Sequence, residues 1–428
     1  MRSSTLTIAA AAVVAGAVCL LAAQTTPEAA VQAITASAGF ADAMAALDRD
    51  HDRIVSDIIR LTEIPAPPFK EAARGAALLA AFRGLPLTDV EQDAEGNVLG
   101  LRRGSGGGPL IAIAAHLDTV FPEGTSVKVR REGTKLYAPG VGDDTRSLAV
   151  LLGLIRALDA AKVQTTGDIL FVADVGEEGP GDLRGMKFLF QKGRYKGRIS
   201  AFITIDDVGL GTDVVNGAVG SKRYRVTFKG PGGHSYGAFG LVNPAFAMAS
   251  AMKAFGALRV PASPKTTYSV GLVGGGTSVN SIPVETWMEV DMRSESPAEL
   301  AKAEKAFLAL IPPAVGEENA TRSTAQGAVS ADVKLIGDRP SGETPKESAI
   351  VRTAEAAVRA AGLTPRLSFG SNDANLPIGL GIPAIRLNSG GTGGRSHALE
   401  EWIDVEKSAS LRGIRVVMAT LLALAGVR

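Results

Sequence analysis

The chain has 428 residues, and its 45 Lys and Arg residues nearly balance its 44 Asp and Glu residues, leaving a formal net charge of +1. This length exceeds what one hydrophobic core usually organises, so we expect two domains. Near-neutral charge without a basic run argues against nucleic acid as a partner. Aromatic residues make up 5 % of the chain while Gly is abundant, at 50 residues, a composition that favours tightly packed α/β structure over disorder.

The N-terminal segment has the pattern of an export signal. Arg2 precedes an apolar stretch from Leu6 to Ala23, and polar residues begin at Gln24. We therefore predict a signal peptide at residues 1–24 and an exported protein, periplasmic or secreted, with no stable membrane span after its removal. An uncleaved anchor is the alternative, because the stretch is about 18 residues long. Its Ala and Gly content makes it only weakly hydrophobic, which favours cleavage.

The single cysteine, Cys19, lies inside that segment, so the mature chain would contain no thiol. Disulfide bonds, a thiolate nucleophile and a cysteine-rich zinc site are then excluded. Any metal ion must be held by His, Asp and Glu side chains.

From about residue 45 to residue 216, helical segments alternate with buried strands. Residues 25–45 are Ala-rich and fit either a loose tail or a first helix, and a helix from about Asp48 to Thr62 follows, with His51 at its solvated start. Apolar runs of strand length then occur at 110–115, 168–173 and 201–205, separated by helical segments. This alternation predicts an α/β domain with a mostly parallel, helix-covered sheet.

The pattern changes near Asn216, and α/β alternation returns from about Ser348. Between them we predict strands at 222–228, 267–273, 286–292 and 329–335, and helices at 244–258 and 298–310. The resulting β-α-β-β-α-β order is the ferredoxin-like pattern. Residues 217–336 are therefore predicted to form an inserted α+β domain, with residues 337–428 completing the first domain.

Acidic and histidine side chains follow successive buried strands of the first domain. They are His116 with Asp118, Asp143 with Asp144, Glu177 with Glu178, Asp206 with Asp207, and later His397 with Glu400 and Glu401. A lone His-x-Asp could be a strand-end histidine that only hydrogen-bonds locally. Several carboxylates directed at one crevice, however, repel each other unless cations lie among them. Two divalent ions would satisfy them, and ligands without thiols suit zinc, with cobalt or manganese as substitutes.

These motifs resemble a known superfamily. His116-Leu-Asp-Thr-Val, Gly-Val-Gly-Asp143-Asp144, Gly-Glu177-Glu178-Gly and Ser-His397 are similar to motifs of the co-catalytic di-zinc peptidases and deacylases, which include peptidase T, carboxypeptidase G-type enzymes, aminoacylase and succinyl-diaminopimelate desuccinylase. The resemblance covers roughly residues 48 to 425. It implies a zinc-peptidase catalytic domain at 45–216 and 337–428, and a lid or dimerisation domain at 217–336.

The resemblance also implies roles for individual residues. One zinc ion would be bound by His116 and Asp206, the other by Glu178 and His397, and Asp143 would bridge both. Asp118 would orient the His116 ring, and Glu177 would be the general base. The peptide between Asp143 and Asp144 would be cis. Asp207 is an alternative to Asp206, which is preferred by register.

The inserted domain would contribute substrate contacts. Gly230-Pro-Gly-Gly-His234 resembles the motif of the lid histidine of the family, which acts across a dimer, and this allows a homodimer through the inserted domain. Asn280 and Arg293 match positions that bind a substrate carboxylate, a group that guanidinium fits bidentately. For Arg293 the alternative is a surface charge at a strand end.

The function expected from the resemblance is a zinc-dependent exopeptidase or amidase, similar to peptidase T, that hydrolyses short peptides or N-acyl amino acids. A carboxypeptidase G-like carboxypeptidase or an N-acyl-amino-acid deacylase is the alternative among hydrolases. A non-catalytic peptide-binding protein of the same fold is the alternative from another class, and the presence of Glu177 argues against it because a binder needs no general base.

Overall fold

The computed structural model describes residues 26–427, so the predicted signal peptide at 1–24 and Cys19 lie outside the described residues. The helices are α1 (Pro27–Thr35), α2 (Ala38–Thr62), α3 (Ala72–Arg83), α4 (Thr145–Ala160), α5 (Arg184–Gln191), α6 (Pro244–Gly256), α7 (Pro297–Thr321), α8 (Ala349–Ala360), α9 (Asn375–Gly379) and α10 (Lys407–Ala425). The strands are β1 (Thr88–Gln92), β2 (Val98–Arg102), β3 (Leu110–His116), β4 (Arg130–Glu132), β5 (Lys135–Tyr137), β6 (Asp168–Asp174), β7 (Ala201–Ile205), β8 (Asp213–Ala218), β9 (Gly220–Lys229), β10 (Gly233–His234), β11 (Thr266–Gly275), β12 (Ser281–Ile282), β13 (Glu285–Ser294), β14 (Ser330–Arg339), β15 (Gly342–Glu343), β16 (Arg366–Gly370), β17 (Ala384–Leu387), β18 (Thr392–Gly394) and β19 (Trp402–Asp404).

The larger domain is built on a sheet in the order β1-β2-β6-β3-β7-β17-β8-β15, with β16 beside β8. Its central strands β6, β3, β7 and β17 run parallel, while the pairs at the edges are mostly antiparallel. β3 and β6 are apolar on both faces and almost completely buried. Strands of this kind need helices on both faces of the sheet, and hydrophobic clusters lie on each side. The predicted fold class is confirmed.

The first helices differ from the sequence prediction. α1 occupies the Ala-rich segment, and α2 begins at Ala38, ten residues before the predicted start, where the Ser37 hydroxyl accepts a hydrogen bond from the Phe40 amide. Such an N-cap stabilises the first turn. His51 therefore lies in the middle of a helix that packs on α4, and it is only 7 % exposed. The prediction that His51 is solvated was wrong.

The inserted domain is a four-stranded antiparallel sheet in the order β11-β13-β9-β14, with α6 and α7 packed on one face. Its chain order is the predicted β-α-β-β-α-β. β14 runs four residues beyond the predicted Leu335 and ends at Arg339. Because β15 returns to the large sheet at Gly342, Arg339 lies at the junction of the two domains.

The C-terminal segment completes the larger domain. β17 lies between β7 and β8 in the large sheet, and β18 and β19 join β5 and β4 in a small second sheet. By length and composition alone, α10 could cross a membrane, but 61 % of its apolar window is buried inside the protein. α1 and α2, which meet at a bend of 63°, pass the same test only if taken together.

Candidate metal centre

Three neighbouring parallel strands bring the predicted metal-binding side chains together. His116 is the last residue of β3, Glu177 and Glu178 follow β6, and Asp206 directly follows β7. β6, β3 and β7 are adjacent and parallel, so their carboxyl ends meet at one edge of the sheet. This edge is where open α/β sheets form their binding crevices.

Asp143 lies between two histidines. It occupies the turn that precedes α4, and its Oδ1 is 3.1 Å from Nε2 of His116 while its Oδ2 is 3.0 Å from Nε2 of His397. Nε2 of His397 is also 3.2 Å from Oε1 of Glu178. The peptide bond between Asp143 and Asp144 is cis, as the resemblance implies. The two oxygens of one carboxylate thus face two separate sets of nitrogen and oxygen ligands.

Candidate ligand atoms fall into overlapping groups, and the atoms of each group lie within 4.8 Å of one another. One group contains His116, Asp143 and Asp206, and another contains Asp143, Glu178 and His397. The structure therefore brings together all five residues predicted to bind metal. Asp207, the alternative to Asp206, instead accepts a hydrogen bond of 2.8 Å from Arg386.

The electrostatics of this cluster fit a cation. Burial, followed by the charge of Asp207, raises the pKa of Asp206 well above its usual range, and burial raises the pKa of Glu178 to about 7. Burial would also raise the pKa of Asp143, but its hydrogen bonds to His116 and His397 hold that pKa below its usual range. Oε1 of Glu178 is buried, and it faces Nε2 of His397 at 3.2 Å. Buried carboxylates of this kind are stable as anions when cations lie among them.

Asp118 contacts the cluster differently from the expectation. Its backbone oxygen, not its carboxylate, is 3.0 Å from Nδ1 of His116, and the nearest carboxylate oxygen is 3.7 Å away. The carboxylate instead accepts hydrogen bonds of 2.8–3.1 Å from the backbone amides of Gly176, Glu177 and Glu178. Asp118 therefore orients the His116 imidazole through its backbone carbonyl, and its side chain fixes the backbone of residues 176–178.

Glu401 performs the same task for the loop that carries Asp143. Its carboxylate is 1 % exposed and accepts hydrogen bonds from the amides of Gly140, Gly142 and Asp143 at 2.8, 2.8 and 2.9 Å. In the sequence, Glu401 stands out only as part of the cluster that contains His397. Its spacing of four residues from His397 was the available signal, but its target lies more than 250 residues away in the chain.

Arg339 contacts the predicted general base and was not predicted. Its Nη1 donates to Oε1 of Glu177 at 2.8 Å and to the Ser371 hydroxyl at 3.2 Å, and its Nη2 donates to the backbone oxygen of Glu177. The only signal in the sequence was an arginine before Pro340, just beyond the predicted end of a strand.

The cluster forms the floor of a cleft with a volume of about 440 Å³. Arg293 lines this cleft, and its Nε donates to Asp291 at 2.6 Å. His234, in β10, and Asn280, just before β12, are exposed and lie elsewhere on the inserted domain, where the Ser235 amide donates to the Asn280 backbone oxygen. The structure of one chain thus brings Arg293 to the cluster, but not His234 or Asn280.

Segments of this chain are similar in sequence to segments of characterised proteins. It is 29 % identical to a succinyl-diaminopimelate desuccinylase of Leptothrix cholodnii over 241 residues, which are 52 % of this chain and 62 % of the relative. It is 33 % identical to carboxypeptidase G2 of a Pseudomonas species over 114 residues, 25 % of this chain and 27 % of the relative. The matched segments thus span less than two thirds of either relative.

Solved structures share the fold. The aminopeptidase PepT of Bacillus cereus superposes with a TM-score of 0.68 at 22 % identity, over 88 % of this chain and 99 % of that protein. A dinuclear metal-binding peptidase of family M20 from Bacillus subtilis gives a TM-score of 0.62 at 18 % identity, over 88 % and 99 %. The family model described as "Peptidase family M20/M25/M40" matches residues 112–423. That match spans well over half of the sequence, and the chain therefore belongs to peptidase family M20/M25/M40.

Proposed function

We propose that this protein is a metal-dependent hydrolase that binds two zinc ions, with cobalt or manganese as substitutes. His116 and Asp206 would hold one ion, Glu178 and His397 the other, and Asp143 both. The observation that carries the proposal is the position of Asp143, whose two carboxylate oxygens face His116 and His397 separately. The structural relative described as a dinuclear metal-binding peptidase supports a count of two metal ions per chain.

In this proposal Glu177 is the general base. When bound, divalent ions at such a site lower the pKa of water to about 7 and stabilise negative charge on an oxygen. Glu177 would accept a proton from the attacking water and deliver it to the leaving amine. Its carboxylate lines the cleft and is fixed by Arg339 on one oxygen. Asp118 would hold the backbone of the same loop.

Short peptides or N-acyl amino acids are the proposed substrates. A cleft of about 440 Å³ lies within the size range of small-molecule sites, and Arg293 would bind a substrate carboxylate there. The fold of an aminopeptidase favours peptidase T-like exopeptidase activity. The alternative is a carboxypeptidase G-like or deacylase activity, which the matches to carboxypeptidase G2 and the desuccinylase favour.

We also propose that the protein is exported and forms a homodimer through its inserted domain. His234 and Asn280 are exposed and lie outside the cleft of their own chain, and a partner chain could bring His234 to it. Mixing inactive His234→Ala with inactive Glu177→Ala chains should then restore some activity. If subunits exchange without any recovery, His234 does not act across a dimer. Fractionation of cells that express the full chain tests export.

A metal assay combined with a peptide panel tests the proposed activity. We expect about two divalent ions per chain, and cleavage products from mixed di- and tripeptides, identified by mass spectrometry, that also show which end is attacked. Glu177→Ala should keep its metal and lose about 100- to 10,000-fold in activity. An active Glu177→Ala variant would refute the mechanism. A metal-loaded wild-type protein that binds peptides but cleaves no amide would favour the peptide-binding alternative.

A further inference from the structure

The inserted domain holds the acidic loop of the larger domain at three points. This loop, residues 177–182, carries the proposed base and one proposed metal ligand. The contacts are the hydrogen bonds of Arg339 to Glu177, the bond of 2.8 Å from Arg223 Nη1 to the Gly179 oxygen, and bonds of 2.9 and 3.0 Å from the Asp338 amide to the Asp182 carboxylate. All three donors belong to β9 or β14. The loop therefore lies between its own sheet and the inserted domain.

Arg339 makes the most specific of these contacts. Its guanidinium reaches both the side chain and the backbone of Glu177, so it restrains the carboxylate and the peptide that carries it. Arginine is suited to this because its donors are arranged in a rigid planar fork. Arg339 is 3 % exposed. The pair is therefore shielded from water, and its geometry is not that of a mobile surface ion pair.

We propose that Arg339 is a positioning residue for Glu177, a role that rests on the proposed function of Glu177 as the base. By engaging Oε1, Arg339 leaves Oε2 as the oxygen that is free to accept a proton. A buried ion pair often contributes little to the free energy of folding, because desolvation of the two charges offsets their attraction. We therefore assign the contact between Arg339 and Glu177 to orientation of the carboxylate.

A substrate-binding role for Arg339 is the competing explanation, since Arg339 also lines the cleft. Its donors argue against it. Nη1 and Nη2 are both engaged by Glu177, and Nε is buried without a partner among the described residues. A substrate carboxylate would have to share the guanidinium with Glu177 and reach the buried Nε or the second N–H of Nη2, whereas Arg293 in the same cleft is bonded to Asp291 through Nε and not to Glu177.

The position of Arg339 gives the inserted domain an influence on the base. Arg339 ends β14, and β15 of the large sheet begins only three residues later. A rotation of the inserted domain about this junction would displace the guanidinium and, with it, the Glu177 carboxylate. The position of the Glu177 carboxylate therefore depends on the position of the inserted domain.

Kinetics of Arg339→Met and Arg339→Lys test the proposal on alanyl di- and tripeptides with free or amidated carboxyl ends. For Arg339→Met we expect kcat to fall about 100-fold, the size of effect that a displaced catalytic group produces, with KM within about threefold. Arg339→Lys should recover part of kcat, because an ammonium group keeps the charge but loses the fork. Arg225→Met is the matched control: Arg225 pairs with Glu289 on the same sheet but does not line the cleft.

Hydrogen–deuterium exchange gives a second readout that needs no activity. Arg339→Met should speed exchange of the amides in residues 176–183, and Arg225→Met should not. A rise in KM with kcat preserved, limited to peptides with a free carboxylate, would show that Arg339 binds substrate and would overturn the proposal. Unchanged kcat and unchanged exchange would overturn it as well. If the wild-type protein cleaves none of these peptides, the proposed function fails while the exchange experiment still decides the role of Arg339.

Discussion

Two loops of the candidate metal centre are held by the same device but by different parts of the molecule. Each loop donates three backbone N–H bonds to one buried carboxylate: residues 140–143 donate to Glu401, and residues 176–178 donate to Asp118. Asp118 follows His116 by two residues, whereas Glu401 reaches its loop from the far end of the chain. The second loop is also held by the inserted domain through Arg339. The loop with the proposed bridging ligand is thus anchored within one domain, and the loop with the proposed base is anchored on both.

If this division is correct, the two carboxylates have separable effects, and Asp118→Asn should have the largest. An amide in place of the carboxylate presents N–H groups to backbone donors and loses charge-assisted bonds worth about 1.5–3 kcal/mol each. Displacement of Glu177 should then lower kcat about 100-fold, even with metal in excess. Steady-state kinetics at saturating metal measure this effect. A kcat within threefold of the wild type, in a variant with an unchanged circular dichroism spectrum, would contradict it.

Glu401→Gln should act on metal affinity instead of kcat. Loss of the partner that fixes a ligand typically costs 10- to 100-fold in affinity, and we expect such a loss for the ion held through Asp143. Excess metal should restore most of the activity, in contrast to Asp118→Asn. Competition with a chelator measures the affinity.

The neighbouring residue supplies the control for Glu401. Glu400 has the same charge but is exposed and pairs with Arg395 at 2.9 Å, so Glu400→Gln should leave metal affinity unchanged. Surface pairs of this kind contribute about 0–1 kcal/mol to stability. Equal losses of metal in both variants would mean that the amide bonds of Glu401 do not matter.

The smallest expected effect is proton release on metal uptake. Hydrogen bonds to Asp143 and Glu178 raise the pKa of His397 to about 11, so the metal-free protein carries this proton at neutral pH. A metal ion needs the neutral imidazole, so uptake should release about one proton here and affinity should rise with pH below that value. Without metal, the same raised pKa stabilises the fold below the usual histidine pKa, and this contribution is lost as pH rises towards 11.

Calorimetric titrations in two buffers with different ionisation enthalpies measure this release. Glu400→Gln should release the same number of protons as the wild-type protein, because Glu400 is exposed and pairs with Arg395. Metal uptake with no proton exchange near pH 7 would show that the metal-free site does not hold the His397 proton.

The sequence was sufficient to predict the fold class because its patterns are local. The buried runs at β3, β6 and β7 and the β-α-β-β-α-β order of the insertion are periodicities of neighbouring residues. The five candidate metal-binding residues could be listed for a similar reason, since carboxyl ends of parallel strands share one edge of a sheet. The cis peptide was expected from the resemblance alone.

Contacts between distant segments could not be predicted. Arg339 and Glu401 are ordinary charged residues in the sequence, and their importance comes from tertiary packing against Glu177 and Asp143, more than 160 residues away in each case. The same limitation explains the error at His51. The predicted start of its helix was ten residues too late, and this placed His51 at the solvated end of the helix. The contacts of Asp118 could not be predicted from the sequence. Either its side chain or its backbone carbonyl could have met His116, and the sequence is the same in both cases.

The position of β17 has a consequence for the order in which the protein is made. This strand lies between β7 and β8, and His397 and Glu401 follow it, so the centre of the sheet and part of the candidate metal centre come from a segment that is translated after the inserted domain. A nascent chain that ends after the inserted domain would expose the edge of β7 and hold only part of the candidate ligand set. Metal loading and stable folding should therefore be late, coupled events that follow synthesis of the C-terminal segment.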